Sequence, residues 1–206
     1  MHECSKALLR RMQDARFATR FFVGSGIDIG AGPDSLDEYR ELFPQVGRVM
    51  GWDIEDGDAE TLDGLAADTF DFAHSSHCLE HLHDPHAALA NWVRVVKPGG
   101  HLVITVPDED LYEQGVFPST FNSYHKWTFT IHKARSWSSR SINVFELLSR
   151  CADSVQTLKV ELIDHAYRHR LARVDQTMSV AAESSIEIIL RKRPANERAR
   201  GGRIPP

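Results

Sequence analysis

His74, His77, His81, His83 and His86 fall within thirteen residues, and His77-Cys78-Leu79-Glu80-His81 spells H-x-x-E-H. Inside a helix, two imidazoles four residues apart can share a zinc ion while the glutamate serves as general base of a hydrolase. This stretch instead follows an apolar strand by one or two residues and ends at the helix start Asp84-Pro85, so no metal is expected. His74, His83 and His86 read as solvated or hydrogen-bonded, whereas His77 and His81 are pocket candidates. A second set lies upstream in Asp28-Ile29-Gly30-Ala31-Gly32-Pro33-Asp34. A strand ending in closely spaced glycines lets its backbone approach a ligand with no Cβ in the way. Asp53 follows Gly30 by 23 positions, close to the roughly 20-residue interval at which a carboxylate takes the hydroxyls of a bound ribose. Ser35 occupies the sixth position of the dinucleotide pattern G-x-G-x-x-G/A. The ligand expected is therefore an adenosine-like nucleoside with no pyrophosphate to cradle; a plain tight turn is the alternative.

The elements that must position these residues alternate between short apolar strands and helical stretches, the pattern of a parallel sheet covered by helices. Residues 5–22 predict an amphipathic helix with Leu8, Leu9, Met12, Ala15 and Thr19 near one face, a lid or flank on the core. Strands are predicted at Ile27-Asp28-Ile29, at 48–52, at 70–73 and at 101–106, the last a continuous apolar run that belongs mid-sheet. A helix is predicted over 35–42. Asp84 at the N-cap and Pro85 at the first helical position start another, with Leu89, Trp92, Val93 and Val96 at i, i+3, i+4 and i+7. Residues 107–140 have no period yet hold seven of the 18 aromatics, where an even spread gives about three; such a segment after a central strand is where a pocket wall is expected. A helix over 142–148 and strands over 155–163 and 185–190 follow. One domain over residues 1–193 is expected, with residues 194–206 a disordered tail.

Composition excludes several classes. A chain of 206 residues, 42% hydrophobic and 26% charged, suits one globular domain with its own core. The 24 basic against 29 acidic residues leave a net charge of -5, so nucleic acid is not expected as a partner. Charged residues through the first twenty positions leave no apolar leader or spanning segment, and Cys4, Cys78 and Cys151 are too few and too scattered for a disulfide framework. A cytoplasmic location, no membrane partner and a possible homodimer are the expectations.

In this order, Gly26-Ile27-Asp28-Ile29-Gly30-Ala31-Gly32, Gly51-Trp52-Asp53-Ile54, Gly57-Asp58-Ala59-Glu60, the run from Phe70 to Pro85 and Arg94-Val95-Val96-Lys97-Pro98-Gly99-Gly100 resemble the class I S-adenosylmethionine-dependent methyltransferases, most closely compact bacterial small-molecule and sugar methylases. The resemblance implies a doubly wound, Rossmann-like, mostly parallel seven-stranded sheet with its last strand antiparallel, and S-adenosylmethionine as cofactor. It places Asp28, Gly30 and Gly32 at the amino-acid end of the cofactor, Asp53 on the ribose, Ile54 on the adenine, Asp58 and Ala59 at the adenine edge, and Ser75, with His77 beyond it, near the sulfonium. Only four residues separate Asp53 from Asp58, so the helix and strand usual between these motifs are absent or reduced.

Methyl transfer from a sulfonium is an in-line displacement, and a base is needed only where the nucleophile must lose a proton. His125, or failing that His81, is the candidate base of an O-methyltransferase acting on a small molecule, a sugar or glycan precursor or a secondary metabolite. Tyr112, Phe117, Tyr124 and Trp127 would wall the acceptor pocket; the alternative is that His125 is structural and these aromatics are core. A non-catalytic binding module is the other reading. A nicotinamide-dependent oxidoreductase would need a better phosphate turn than Gly32-Pro33-Asp34-Ser35.

Overall fold

Runs of β-branched and aliphatic residues set the sheet. In the computed structural model, which describes residues 3–203, the strands are β1 (Gly24–Ile29), β2 (Val46–Trp52), β3 (Phe70–Ser76), β4 (Val96–Pro107), β7 (Val155–Ile163) and β8 (Ser185–Lys192). They form one six-stranded sheet in the order β2-β1-β3-β4-β8-β7. β1 pairs parallel with β2 and β3, and β3 with β4, while β8 runs antiparallel to both β4 and β7. The mostly parallel Rossmann-like sheet and the antiparallel last strand are as expected. Among the described residues the sheet has no seventh strand. Between Trp52 and Phe70 the chain forms only turns, because one connection of this length cannot hold a second strand and its crossovers. The remaining strands, β5 (Thr128–Thr130) and β6 (Ser141–Asn143), make a separate two-stranded sheet.

Both faces of β4 are covered, as its continuous apolar run requires. Leu102, Ile104 and Val106 join Ile27, Ile29, Trp92, Ile186 and Ile188 in one core layer. Val103 packs on the other side with Phe17, Phe22, Phe43, Phe72 and Ile189. Helix α2 (Pro85–Val95) starts as predicted, with the Asp84 carboxylate accepting from the N–H groups of His86 and Ala87. It also holds the loop that replaces the missing strand: Trp92 Nε1 donates to the Ala59 carbonyl at 2.8 Å, and Arg94 donates to the carbonyls of Thr61 and Leu62. The predicted 35–42 helix is a 3₁₀ segment, Leu36–Leu42, capped by Ser35 and broken at Tyr39. α3 (Val144–Ser149) follows β6 directly.

Helix α1 (Glu3–Gln13) is rotated from its expected face. Cys4, Ala7, Leu8 and Arg11 are buried, whereas Leu9 is 75% and Met12 51% exposed. Charge pairing sets this orientation: Arg11, fully buried, reaches Glu187 of β8 at 3.1 Å, Thr105 at 3.2 Å and His74 at 3.0 Å. Arg10 pairs with Glu183 and Glu187 at 2.7 and 2.8 Å. A buried guanidinium without these partners would cost more than two exposed apolar side chains gain. Within the tail expected to be disordered, α4 (Ala195–Ala199) forms and Glu197 pairs with Arg191 at 2.8 Å; residues 1–2 and 204–206 lie outside the described ones. Among the described residues, no helix is long and apolar enough to cross a membrane, and all three cysteines are free thiols.

Candidate active site

The end of β1 turns at Gly30, with φ +74°; a Cβ there would lie 2.6 Å from the Cys78 Cβ. The turn thus needs glycine because the segment after β3 packs directly on it. Gly32, at φ +51°, has open space around its missing Cβ, as a backbone facing a ligand should. Beside it lies a cavity of about 180 Å³, lined by Asp28, Gly30, Gly32, His74 and His77 and by Glu3 and Cys4 of α1.

Asp28 is buried and fully engaged. Its Oδ2 accepts from the Leu36 N–H at 2.7 Å and the Ser35 hydroxyl at 3.2 Å, and its Oδ1 lies 2.6 Å from His74 Nδ1. Arg11 can only donate, so His74 Nε2 must accept from it and the imidazole proton sits on Nδ1, facing Asp28. Burial would raise the Asp28 carboxyl, and His74 with the Leu36 N–H more than offsets this, leaving it below the usual carboxylate range. The negative group in the cavity wall with a free oxygen is instead Glu3, whose buried Oε2 has no hydrogen-bond partner. Ser75 is likewise committed, its hydroxyl donating to the Ile29 carbonyl at 2.9 Å, and Ser76 lines the cavity in its place. Nothing in the sequence pattern singled out Glu3 or Ser76.

At the end of β2, Asp53 is half-buried and accepts from the N–H groups of Gly32 at 3.1 Å and Ile54 at 2.8 Å. A carboxylate has about four acceptor positions, so room remains for two ribose hydroxyls. Ile54 is 91% exposed beside it, an uncovered apolar face of the kind a purine would cover. Asp58 is exposed and caps its own turn through the Glu60 N–H, while Ala59 packs against the core. Open glycine backbone, an orphaned buried carboxylate oxygen and an uncovered apolar side chain beside a half-engaged carboxylate fit an aminoacyl nucleoside such as S-adenosylmethionine.

Past the cavity, His77 adopts a left-handed φ of +54°, which swings its ring back between two elements. Its Nε2 lies 3.0 Å from the Ser185 hydroxyl, and its Nδ1 3.3 Å from Glu80 Oε1 without hydrogen-bond alignment. Burial alone would lower the His77 pKa; the neighbouring Glu80 carboxylate reverses this and raises it. Glu80 is itself fully buried, and His77, His81 and His125 hold its carboxyl below the ordinary range despite that burial. Its main-chain carbonyl accepts from the N–H groups of Lys126 and Trp127 at 2.8 and 3.3 Å, which ties the aromatic segment to the strand end. His125, 6% exposed, thereby reaches Glu113, Nδ1 to Oε1 at 2.7 Å, with Tyr112 alongside at a ring separation of 5.1 Å. His81 packs edge-on against His125 at 4.9 Å.

The four aromatics do not wall one pocket. Tyr112 is buried beside His125, but Tyr124 is 79% exposed, because the Asn122 side chain accepts the Tyr124 N–H in a turn that directs its ring outward. Trp127 lies under Arg140 at 4.1 Å and lines a separate cavity of about 440 Å³ with His83, His86 and Arg150. Phe117 is half-buried and takes no part in the His125 contacts. Glu113, which orients His125, carried no sequence signal; Glu80 did, inside H-x-x-E-H.

Solved structures share this fold. An S-adenosylmethionine-dependent methyltransferase from Archaeoglobus fulgidus superposes with a TM-score of 0.57 at 18% identity, covering 94% of this chain and 95% of that one. One from Mesorhizobium loti gives 0.54 at 16% identity over 88% and 99%, and the [4+2]-cyclase SpnF gives 0.51 at 16% identity over 91% and 81%. In sequence, an uncharacterized 37.1 kDa protein of transposon TN4556 from Streptomyces fradiae is 34% identical over 107 residues, 42% of this chain, and the match spans only 31% of that relative's length. A family model described as a methyltransferase domain matches residues 2–152, most of the chain. That match includes the glycine turn and Asp53 beside it, and the chain belongs to the methyltransferase-domain family.

Proposed function

We propose that this chain is an S-adenosylmethionine-dependent methyltransferase that methylates a hydroxyl group of a small molecule, with a sugar or glycan precursor or a secondary metabolite as the acceptor class. The observation that carries the reading is the buried His125–Glu113 pair at 2.7 Å, next to the strand end where the cofactor cavity closes. The cofactor supplies an electrophilic methyl group on a sulfonium; the chain has to bind it, align the acceptor and accept a proton. Asp53 holds the ribose hydroxyls, Ile54 covers the adenine, and Asp58 with Ala59 meets its edge. Gly30 and Gly32 leave room for the amino-acid end, whose ammonium is met by Glu3 and, at longer range, Asp28. Ser75 fixes the strand end from behind, and His77 stands at the boundary with the acceptor. Because the Glu113 carboxylate only accepts, His125 Nδ1 carries the proton it donates there, and Nε2 is left as the basic nitrogen. His81 flanks it. Tyr112 backs the acceptor site; Phe117, Tyr124 and Trp127 lie outside it.

The test is methyl transfer from radiolabelled S-adenosylmethionine to a panel of hydroxylated sugars, nucleotide sugars and phenols, with cofactor affinity measured in parallel by calorimetry. Methyl ethers from one acceptor class, lost in His125→Gln while cofactor affinity is kept, support the reading. Cofactor binding with no transfer to any hydroxyl would leave a binding module or a nitrogen or carbon methylase in its place.

A further inference from the structure

Three imidazoles surround Glu80 Oε1, His77 Nδ1 at 3.3 Å and the Nε2 atoms of His81 and His125 at 4.0 Å each. The opposite nitrogen of every ring is already committed as a donor. His81 Nδ1 faces the Tyr124 main-chain carbonyl at 3.1 Å, which can only accept. His125 Nδ1 donates to Glu113 at 2.7 Å. The Ser185 hydroxyl donates to the Glu183 carbonyl, so its lone pair takes the proton of His77 Nε2. Three ring nitrogens thus converge on a fully buried carboxylate, and neither Glu80 oxygen has an aligned hydrogen-bond partner. A buried carboxylate so placed needs positive charge beside it, carried by the imidazoles or by an ion held among them.

We propose that Glu80, His81 and His125 hold a divalent transition-metal ion, with zinc or iron(II) the classes best suited to two imidazoles and a carboxylate. Their ligand atoms lie within 4.8 Å of one another. Metal–ligand bonds near 2.1 Å need ligand atoms roughly 3.4 Å apart, so each 4.0 Å gap to Glu80 closes by about 0.6 Å. His81, with about a third of its side chain exposed (31%), has room to close its own gap, and the other closes by movement of His125 and Glu80, both buried. The outer contacts are those a metal site requires: a carboxylate on His125 and a main-chain carbonyl on His81 fix both rings with Nε2 inward. His77 orients the Glu80 carboxylate from the cofactor side. The H-x-x-E-H run failed as a zinc motif in the sequence because it is not inside a helix. The fold supplies the missing ligand from residue 125, pulled in by the hydrogen bonds of Lys126 and Trp127 to the Glu80 carbonyl. Two imidazoles and one carboxylate leave coordination positions for an oxygen ligand such as a hydroxyl. In the metal-loaded protein the cation, in place of the His125 lone pair, lowers the pKa of the acceptor hydroxyl; in the metal-free protein His125 is the base.

The inference stands on these side chains alone and is tested without S-adenosylmethionine. Chelator-treated, tag-free protein is titrated with Co²⁺ and Zn²⁺, followed by calorimetry and by the visible absorption of bound Co²⁺. One saturable Co²⁺ per chain, displaced by Zn²⁺ and weakened at least about tenfold in Glu80→Gln and in His81→Gln, is expected, and Glu113→Gln should weaken it by about 10–100-fold through the outer contact. Circular dichroism verifies folding; His81→Gln, on a partly exposed side chain, decides the matter if Glu80→Gln does not fold. No saturable site, or binding unchanged in the folded variants, overturns the proposal and assigns the positive charge to protonated histidines.

Discussion

The proposed cofactor side and the proposed acceptor side of this site are built on different principles. On the cofactor side, Gly30, Gly32 and Asp53 sit at the ends of adjacent parallel strands, so their relative placement follows from sheet register. On the acceptor side, His81, His125, Glu80 and Glu113 come from a strand-end turn and an irregular segment, and contacts between charged and polar side chains hold them together. The first arrangement survives any sequence that keeps the strands; the second depends on each partner being present. Chemistry that varies between relatives of one fold belongs on the second side, which accords with a cyclase sharing this architecture.

Substitutions on the two sides should separate. The largest effect is expected for His125→Gln, which should lower turnover of the true acceptor by about 10²–10⁴-fold while leaving cofactor affinity within a factor of about two; equal losses in both would show that the sides are not independent. Glu187→Ala removes the counter-charge of the fully buried Arg11 and should cost about 3–5 kcal/mol in urea unfolding. A loss below about 1 kcal/mol would mean that α1 contributes little to stability. Asp53→Ala should weaken S-adenosylmethionine by about 10–100-fold in calorimetry, the range of a charged hydrogen-bonding group lost, without changing folding.

Acidification sharpens the same comparison. Contact with Arg11 and Arg10 lowers Glu187 from 4.5 to about 2 against the opposing effect of its burial. Because its folded pKa lies below its unfolded one, its stabilisation is complete above about pH 4.5 and is lost as pH falls toward about 2. Denaturant midpoints recorded through that window should fall steeply in the wild type and less steeply in Glu187→Gln. Smallest of all, Tyr124→Ala should alter turnover by less than about twofold, since its ring is 79% exposed; a larger loss would return Tyr124 to the acceptor wall.

What could be read from sequence divides along the same line. Strands, the Asp84-Pro85 helix start and the Gly30 and Asp53 positions announce themselves through local period and fixed spacing. The acceptor cluster does not: Glu113 and His125 are separated by twelve positions of irregular chain, and no periodicity encodes which carboxylate an imidazole will find. α1 misled for a related reason, since its apolar pattern pointed to Leu9 and Met12 while its orientation is set by Arg11 reaching Glu187, a partner 176 residues away. The absent strand was foreshadowed by the short interval between Asp53 and Asp58, but strand count follows from the whole connection from Trp52 to Phe70.

The position of α1 beside the cavity ties the stability of this helix to what the cavity holds. Glu3 and Cys4 line the space in which the proposed reading puts the amino-acid end of the cofactor, and an isolated helix of eleven residues is too short to persist in water on its own. It persists here through the pairs that Arg10 and Arg11 make with Glu183 and Glu187. On the proposed reading, a cofactor seated against Glu3 and Cys4 adds its own contacts to those that hold this helix in place. Amide hydrogen exchange in α1 should therefore slow when S-adenosylmethionine is bound, because the helix itself forms part of the cavity wall.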